Sequence, residues 1–498
     1  MDTFNFLMAG FAAALQPGNL LFALIGCVLG TLIGVLPGVG PAAGTAILIP
    51  LTFKLDPTGA IIMLCAIYYG AMYGGTITSV LLNVPGEAAS VITCIDGYQM
   101  AKQGRGGTAL GIAAIGSFIG GIAATIALVL VATPLSRLAL SFGPPEFFAL
   151  MLVGLCLVTG LAGRSLIAGV MMTVVGLLLA MVGIDPVRGA PRFTFGMPDL
   201  YDGIGFIPVV MGLFGVGEIL ATAEAPVREV IKTNLSRLMP NAEEWRRSLG
   251  AIARGTGIGF FLGLIPGVGA IIPTFMSYIL EKRVSKHPEQ FGKGAIEGVA
   301  GPETANNAYA NASMVPLLTL GIPSSPTIAV LMGAFIVNGL TPGPFLFQEK
   351  PELVWAVIAS FFVGNVLLLI LNLPLVGLWA KILDVPYQYI CVGTLLFCLL
   401  GAYSINQSVF DIWMMLLFGV IGYVLRKLDF PLAPAVLGII LGPQLEKSLR
   451  TSLEMSAGDY WIFFSRPISA GLLVCCVIIL AVSALNLAPK EIREGGSE

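Results

Sequence analysis

The densest group of polar residues in the sequence lies between Glu303 and Ser313. It holds one acid, Glu303, and three amides, Asn306, Asn307 and Asn311, in a stretch that is otherwise rich in alanine. Amide groups are costly to bury unless they have partners. Carboxylate and amide oxygens suit a cation such as Na⁺, so this stretch predicts a cation-binding site.

Hydroxyl and acidic residues extend that prediction to an earlier stretch of the chain. The predicted cation ligands are Thr76, Thr78, Ser79, Glu303, Thr304, Asn306, Asn307, Asn311 and Ser313. For each hydroxyl residue the alternative is that it only permits close helix packing. For Glu303, and for Glu87 after a Pro-Gly pair, an intramembrane functional acid and a helix-start acid at an aqueous rim both stay open.

Two copies of one glycine-proline pattern interrupt apolar runs. They read LIGVLPGVG at 32–40 and FLGLIPGVG at 261–269. Proline removes an amide donor and glycine permits backbone angles closed to other residues, so neither copy is expected to continue a helix. A helix that begins after Gly40 or Gly269 would direct free amides at the break, which suits a carboxylate, whereas freed carbonyls suit Na⁺.

The predicted carboxylate contacts lie at these tips and at a second pair of chain breaks. They are Pro37, Gly38, Val39, Gly40, Pro266, Gly267, Val268, Gly269, Asn83, Pro323, Ser324 and Ser325. Because the polar stretch follows the second copy, we expect the cation chiefly beside Gly267 and the carboxylate between both tips.

The duplication extends beyond the glycine pattern. LNVPG at 82–86 matches LGIPS at 320–324, and Pro208 and Gly212 match Pro434 and Gly438. The three separations are 229, 238 and 226 residues, so the copies differ by modest insertions. Matched breaks in two halves of a membrane protein are the best sequence indication of a transporter's binding site.

Composition places the chain in a membrane. Of 498 residues, 56% are hydrophobic and 11% are charged, against about 25% charged in soluble proteins. A net charge of -2 and a single histidine exclude a nucleic-acid partner, which would need clustered Lys and Arg. The eight cysteines lack metal-ligand spacing and are interpreted as packing residues.

The predicted fold is an all-α polytopic membrane protein with two inverted repeats, broken helices, re-entrant hairpins and an extra C-terminal transmembrane helix. Apolar runs long enough to span a bilayer lie near 19–36, 58–82, 107–133, 145–162, 165–184, 203–221, 353–373, 386–405, 408–425 and 467–487. Shorter pieces lie near 41–53, 255–265, 270–280, 312–322, 326–340 and 431–442. The predicted units are an interfacial segment 1–18, a first repeat 19–221, a cytoplasmic linker 222–254, a second repeat 255–446, and a loop, helix and tail at 447–498.

Basic residues give the predicted orientation, because Lys and Arg stay preferentially on the cytoplasmic side. The linker carries six arginines and lysines and is placed inside. The second hairpin then enters from the cytoplasm and the first from the opposite face. Arg188, Arg192, Lys447 and Arg450 fall outside against this rule.

The sequence resembles the large membrane subunit of the tripartite tricarboxylate transporter family over roughly residues 15 to 485. The resemblance rests on Gly34 to Gly40 with Pro41, IPLTF at 49–53, GAIEGVAGPETANNAYANAS at 294–313, and LGIP at 320–323. It implies a multi-pass protein of the bacterial inner membrane, a small membrane subunit, and a periplasmic solute-binding protein that delivers an organic carboxylate. It also implies coupling to Na⁺ or H⁺, with no cofactor.

Two other classes compete with this prediction. An anion channel, or a carrier working without a binding protein, would also use broken helices and carbonyls. An enzyme would need a convergent nucleophile, base or metal set, and the sequence suggests none, so we expect no enzymatic activity.

Overall fold

A computed structural model describes residues 3–485 except 37–39, 162–164, 186–188, 223–234, 236, 384 and 386. The described chain is almost entirely helical, and one short antiparallel pair of strands joins β1 (Gly183–Ile184) to β2 (Pro191–Arg192). The prediction of an all-α polytopic membrane protein is confirmed.

The first part of the chain forms ten helices within the described residues. They are α1 (Thr3–Ala14), α2 (Pro17–Val35), α3 (Gly40–Leu48), α4 (Pro57–Leu82), α5 (Val91–Lys102), α6 (Gly106–Ala139), α7 (Pro144–Leu161), α8 (Leu166–Ala180), α9 (Phe206–Val210) and α10 (Gly217–Thr222). A π-helical segment, Met211–Val216, joins α9 to α10. Proline in the first turn of α2 and α4 marks the helix start, since its missing amide would be unpaired there anyway.

The second part begins at α11 and ends at α23. The helices are α11 (Ala242–Gly263), α12 (Ile271–Val284), α13 (Glu297–Ala312), α14 (Met314–Leu320), α15 (Pro326–Val337), α16 (Leu346–Glu349), α17 (Pro351–Asn372), α18 (Val376–Ile382), α19 (Tyr387–Asn406), α20 (Val409–Lys427), α21 (Leu432–Met455), α22 (Ile462–Ser465) and α23 (Pro467–Ala484). The expected C-terminal membrane helix corresponds to α23.

Six helices in the described part of the chain are long and apolar enough to cross a membrane. They are α2, α4, α6, α17, α20 and α23. The predicted spans at 145–162, 165–184, 203–221 and 386–405 also fall on apolar helices, in the stretches Pro144–Gly160, Leu166–Ala180, Phe206–Thr222 and Cys391–Asn406.

Two predicted boundaries differ from the structure because charged residues prolong helices beyond their apolar runs. The predicted linker 222–254 contains the start of α11, where Asn241 and Glu244 form a reciprocal cap. The short piece 255–265 is therefore the end of a 22-residue helix. Likewise α21 continues to Met455, past the predicted loop start at 447, and its Arg450 forms an ion pair with Asp185 beside the β1–β2 hairpin.

Two helix pairs pack in parallel at their glycines. In α2 and α4, Gly26 approaches the carbonyl of Met63, and eight residues later Gly34 approaches that of Ala71. In α11 and α13, Gly255 approaches Gly301 and Gly259 approaches Ala305 in the same way. Because the members of each pair run in one direction, the segments α3 and α12 between them return the chain to the end where each pair began. Each half therefore contains a parallel helix pair whose members are joined by a shorter returning segment; the re-entrant hairpins stay a prediction.

The two parallel pairs run in opposite directions. Contacts between α4 and α13 join Tyr68 to Ser313 and Thr76 to Glu303, so residue numbers rise along one helix as they fall along the other. Opposed directions are what an inverted repeat requires.

Candidate functional site

The second glycine-proline pattern breaks the chain as expected. After α11 ends at Gly263, Gly267 and Gly269 adopt positive φ angles of 82° and 73°, and α12 begins at Ile271. At the first pattern α2 ends at Val35 and α3 begins at Gly40. The predicted contacts Pro37, Gly38 and Val39 lie outside the described residues.

Each glycine-proline tip lies against a second chain break from its own half. A side chain added at Gly86 would collide with the carbonyl oxygen of Gly34. In the other half, the amide of Gly269 donates to the carbonyl of Ser324 at 3.1 Å. We call residues 34–36 and 40 with 83–87 the first break, and residues 263–270 with 321–325 the second break.

The two breaks share their backbone geometry. Asn83 ends α4 with φ 56°, and Gly321 ends α14 with φ 70°, both left-handed. Four residues later a side chain caps the next helical turn. Glu87 accepts from the amide of Ala89, and Ser325 accepts from that of Ile328.

Glu303 lies on α13 facing the first half of the chain. Thr76 donates to its carboxylate at 2.6 Å, and Thr93 donates to the other carboxylate oxygen. Its side chain is buried, as is that of Glu87. No Lys, Arg or His in the described chain forms an ion pair with either acid. Both acids therefore lack a basic partner among the described residues, and their burial favours an intramembrane acid over one at an aqueous rim. Glu87 is nevertheless a helix-start acid, because it caps the turn that begins at Ala88.

The three asparagines of α13 reach three different neighbours. Asn306 donates to the Glu87 carboxylate at 2.8 Å, and Asn307 donates to the Ser117 hydroxyl at 2.7 Å. Asn311 donates to the backbone of its own helix. All three side chains are buried, and none of their carbonyl oxygens has a hydrogen-bond partner among the described residues. Buried amide oxygens without a donor mark a place where a ligand can bind.

Most of the predicted hydroxyl ligands bond within their own helix. Thr304 donates to Ala300, Ser313 donates to Ala310, and both Thr78 and Ser79 donate to Gly75. Their hydroxyls can still accept from a donor or bind a cation, but their present bonds match the helix-packing alternative. Thr76 is the predicted hydroxyl ligand that contacts Glu303.

Glu303 and Asn306, at the start of the polar stretch, lie beside the first break and away from Gly267. Glu303 and Asn306 contact Thr76 and Glu87, whereas a side chain at Gly267 would meet Leu157 and Val158 of α7. Because α13 crosses α4, the start of the polar stretch faces the first half of the chain, whereas Tyr309 near its end donates to the carbonyl of Ser324 in the second break. The position of the cation beside the second tip stays a prediction.

Several site residues lie outside the predicted set. They are Thr93, Ser117, Tyr68, Tyr73, Asn365 and Tyr309. A small cavity of about the size of one water molecule touches Tyr73, Thr76 and Ser117. A single hydroxyl or amide in a helix carries no sequence signal of its partner, so none of these contacts could be predicted from the sequence.

A helical bundle with six helices able to cross a membrane, helix breaks at glycine and proline, and buried acids without a basic partner in the described chain is typical of a polytopic membrane transporter. The chain belongs to the tripartite tricarboxylate transporter TctA family, whose model matches residues 20–437. Membership of a transporter family favours transport over an enzymatic role for this chain.

Two similar proteins come from Agrobacterium vitis. The protein described as "Uncharacterized 52.8 kDa protein in TAR-I ttuC' 3'region" is 47% identical over 490 residues, covering 98% of each chain. The "Uncharacterized protein in TAR-II ttuC' 3'region" is 48% identical over 231 residues, which is 46% of this chain and 96% of that protein. No solved structure matches the chain.

Proposed function

We propose that this chain is the large membrane subunit of a binding-protein-dependent secondary transporter that imports a di- or tricarboxylate by symport with Na⁺ or H⁺. The observation that carries the proposal is the pair of buried acids, Glu87 and Glu303, which have no basic partner in the described chain and flank a helix break. Family membership supports the transport role.

The charge of the site supplies a physical reason for coupling. A charge in the bilayer interior costs several kcal/mol unless it is compensated. A buried carboxylate alone, or a carboxylate substrate alone, leaves the site charged. Each cation that binds reduces that negative charge, and a di- or tricarboxylate adds to it, so entry of the substrate calls for the entry of cations with it.

The glycine contacts support an internal repeat that could provide alternating access. In each half, three glycines at intervals of four residues meet carbonyls on the parallel helix: Gly26, Gly30 and Gly34 meet Met63, Ile67 and Ala71, and Gly255, Gly259 and Gly263 meet Gly301, Ala305 and Tyr309. The glycines differ by 229 residues and their partners by 238, the same separations as the sequence anchors. The opposed directions of α4 and α13 favour inverted halves.

The proposed partners follow from the family name. A tripartite system implies two further components, which we propose are a small membrane subunit and a periplasmic solute-binding protein. The proposed location is the inner membrane of a bacterium, with the face that carries Arg105 and the start of α11 in the cytoplasm. Arg105 forms an ion pair with Glu244 there, which joins two of the segments assigned to that side.

Reconstitution tests this function. The chain is placed in proteoliposomes with its two proposed partners, and uptake of labelled organic acids is measured under a Na⁺ gradient, a proton gradient, or neither. We expect accumulation with one of the gradients and with the binding protein present. Accumulation that needs neither gradient would contradict symport. Electrical currents far above carrier turnover would instead favour the anion channel.

A further inference from the structure

Equivalent positions of α4 and α13 carry different side chains in the two halves. A shift of 238 residues matches Tyr68 with Asn306, Tyr69 with Asn307, Tyr73 with Asn311, and Glu87 with Ser325. We infer that the two breaks bind ligands of opposite charge, with Na⁺ at the first break and a carboxylate of the substrate at the second. This inference rests on the proposed function and assigns its two ligands to separate sites.

The first break offers oxygen ligands and negative charge. Glu87 belongs to the break itself, and Asn306 donates to it from α13. Glu303 lies one turn earlier on the same helix and accepts from Thr76. The carbonyl oxygen of Asn306 is buried without a donor. Na⁺ takes several oxygen ligands at once, and the Glu87 carboxylate and the Asn306 amide oxygen offer two kinds of them at one place. A protonated Glu87 that donates to this amide oxygen is the competing arrangement, and the Na⁺ titration below distinguishes the two.

The second break offers donors, and no acidic residue belongs to its described segments. Ser325 stands where the first break has Glu87. The hydroxyl of Ser324 is fully buried and has no hydrogen-bond partner among the described residues. The 14-residue helix α12 begins here without a side-chain cap, so its first amides point toward the break. A hydroxyl and a helix N-terminus together suit a carboxylate.

One helix connects the two sites. Tyr309 of α13 donates to the Ser324 carbonyl in the second break, and Asn306, three residues earlier, contacts Glu87 in the first. Three residues of an α-helix rise by about 4.5 Å. A shift of α13 caused by one ligand therefore moves side chains at both sites. The helix α13 thus couples the two ligand sites.

Thermal unfolding of the purified full-length chain in detergent tests this division. Na⁺ alone is titrated against choline at constant ionic strength, and citrate is titrated at saturating Na⁺. Glu303→Gln should raise the Na⁺ concentration for half-maximal stabilisation at least tenfold. Ser324→Ala and Ser325→Glu should leave that concentration within twofold and weaken citrate binding at least tenfold, because they remove a donor and add a negative charge.

Two control variants keep the result interpretable. Asp411→Asn removes a buried acid that pairs with Asn406 away from both breaks, and Thr319→Val removes a buried hydroxyl bonded within α14. Both should behave as wild type. A normal Na⁺ response in Glu303→Gln, or a Na⁺ defect with normal citrate binding in Ser324→Ala, would overturn the division. Failure of the proposed function would instead appear in the wild type, as an absence of gradient-driven uptake.

Discussion

The helices α4 and α13 occupy matching places in the two halves and carry opposite kinds of side chain. Tyrosines on α4 place large, mostly apolar surfaces in the bundle, and Tyr73 donates to Asn365 of α17. Asparagines on α13 leave three buried carbonyl oxygens without donors. We therefore propose that α4 serves packing in its half and α13 serves ligand binding in the other, and that the side chains decide which.

Among the variants that test this difference, removal of the Glu303 charge should have the largest effect on citrate uptake. Glu303→Gln keeps the size of the side chain but removes the negative charge that we assign to the cation. We expect gradient-driven citrate uptake to fall at least 100-fold, about 2.7 kcal/mol at 1.36 kcal/mol per tenfold. Initial rates in proteoliposomes measure it, with Asp411→Asn as control. Uptake within threefold of wild type would show that Glu303 does not belong to the cation site.

The loop before α13 offers a test of stability. Asp96 accepts from the amides of Gly292, Gly294 and Ala295 and from the Tyr278 hydroxyl, at 2.7 to 2.9 Å. Asp96→Ala should lower the free energy of unfolding by about 2 kcal/mol, because several buried donors lose their acceptor. Denaturant unfolding in detergent measures the change. A loss below 1 kcal/mol would show that this loop does not depend on Asp96.

Asn307 of α13 and Tyr69 of α4 occupy equivalent positions, so their variants can be compared directly. Asn307→Ala should reduce citrate uptake about tenfold, because it removes a donor to Ser117 and an unpaired oxygen. Tyr69→Phe, at the matching position of α4, should change uptake less than threefold. The two variants are assayed side by side at equal protein in the membrane. Equal losses in both would mean that the two helices contribute alike.

The smallest effect should come from the start of α4. Asp56 caps this helix through the amides of Thr58 and Gly59 at 3.1 and 3.4 Å. Asp56→Ala should lower the free energy of unfolding by about 1 kcal/mol, as for other helix caps. The same denaturant unfolding applies, with uptake measured on the folded protein. A large loss of uptake without a loss of stability would point to a role beyond capping.

The sequence predicts the breaks better than the contacts between them. Proline and glycine act locally, so the interruption at Gly267 and Gly269 can be read from residue types alone. The contact between Glu87 and Asn306 joins residues 219 apart and depends on how α13 crosses α4. Without that crossing angle, the sequence alone does not show that Glu303 and Asn306 face the first break, because Gly267 is nearer to them along the chain.

Helix ends were harder to predict where charge and apolar surface alternate. The charged start of α11 has the composition of a linker, and its capping pair, Asn241 and Glu244, is a short signal among several polar residues. The helix α5 was absent from the predicted elements because its apolar content is low. Its Thr93 nevertheless contacts Glu303, so a missed helix supplies a site residue.

Simultaneous uptake of radiolabelled sodium and radiolabelled citrate into the same proteoliposomes tests the central claim most directly. The vesicles contain the chain with its two proposed partners, and no pH gradient is imposed. The account predicts that both labels accumulate together in a fixed ratio, and that Glu303→Gln abolishes both. Citrate uptake at an undiminished rate after replacement of Na⁺ by choline would contradict it.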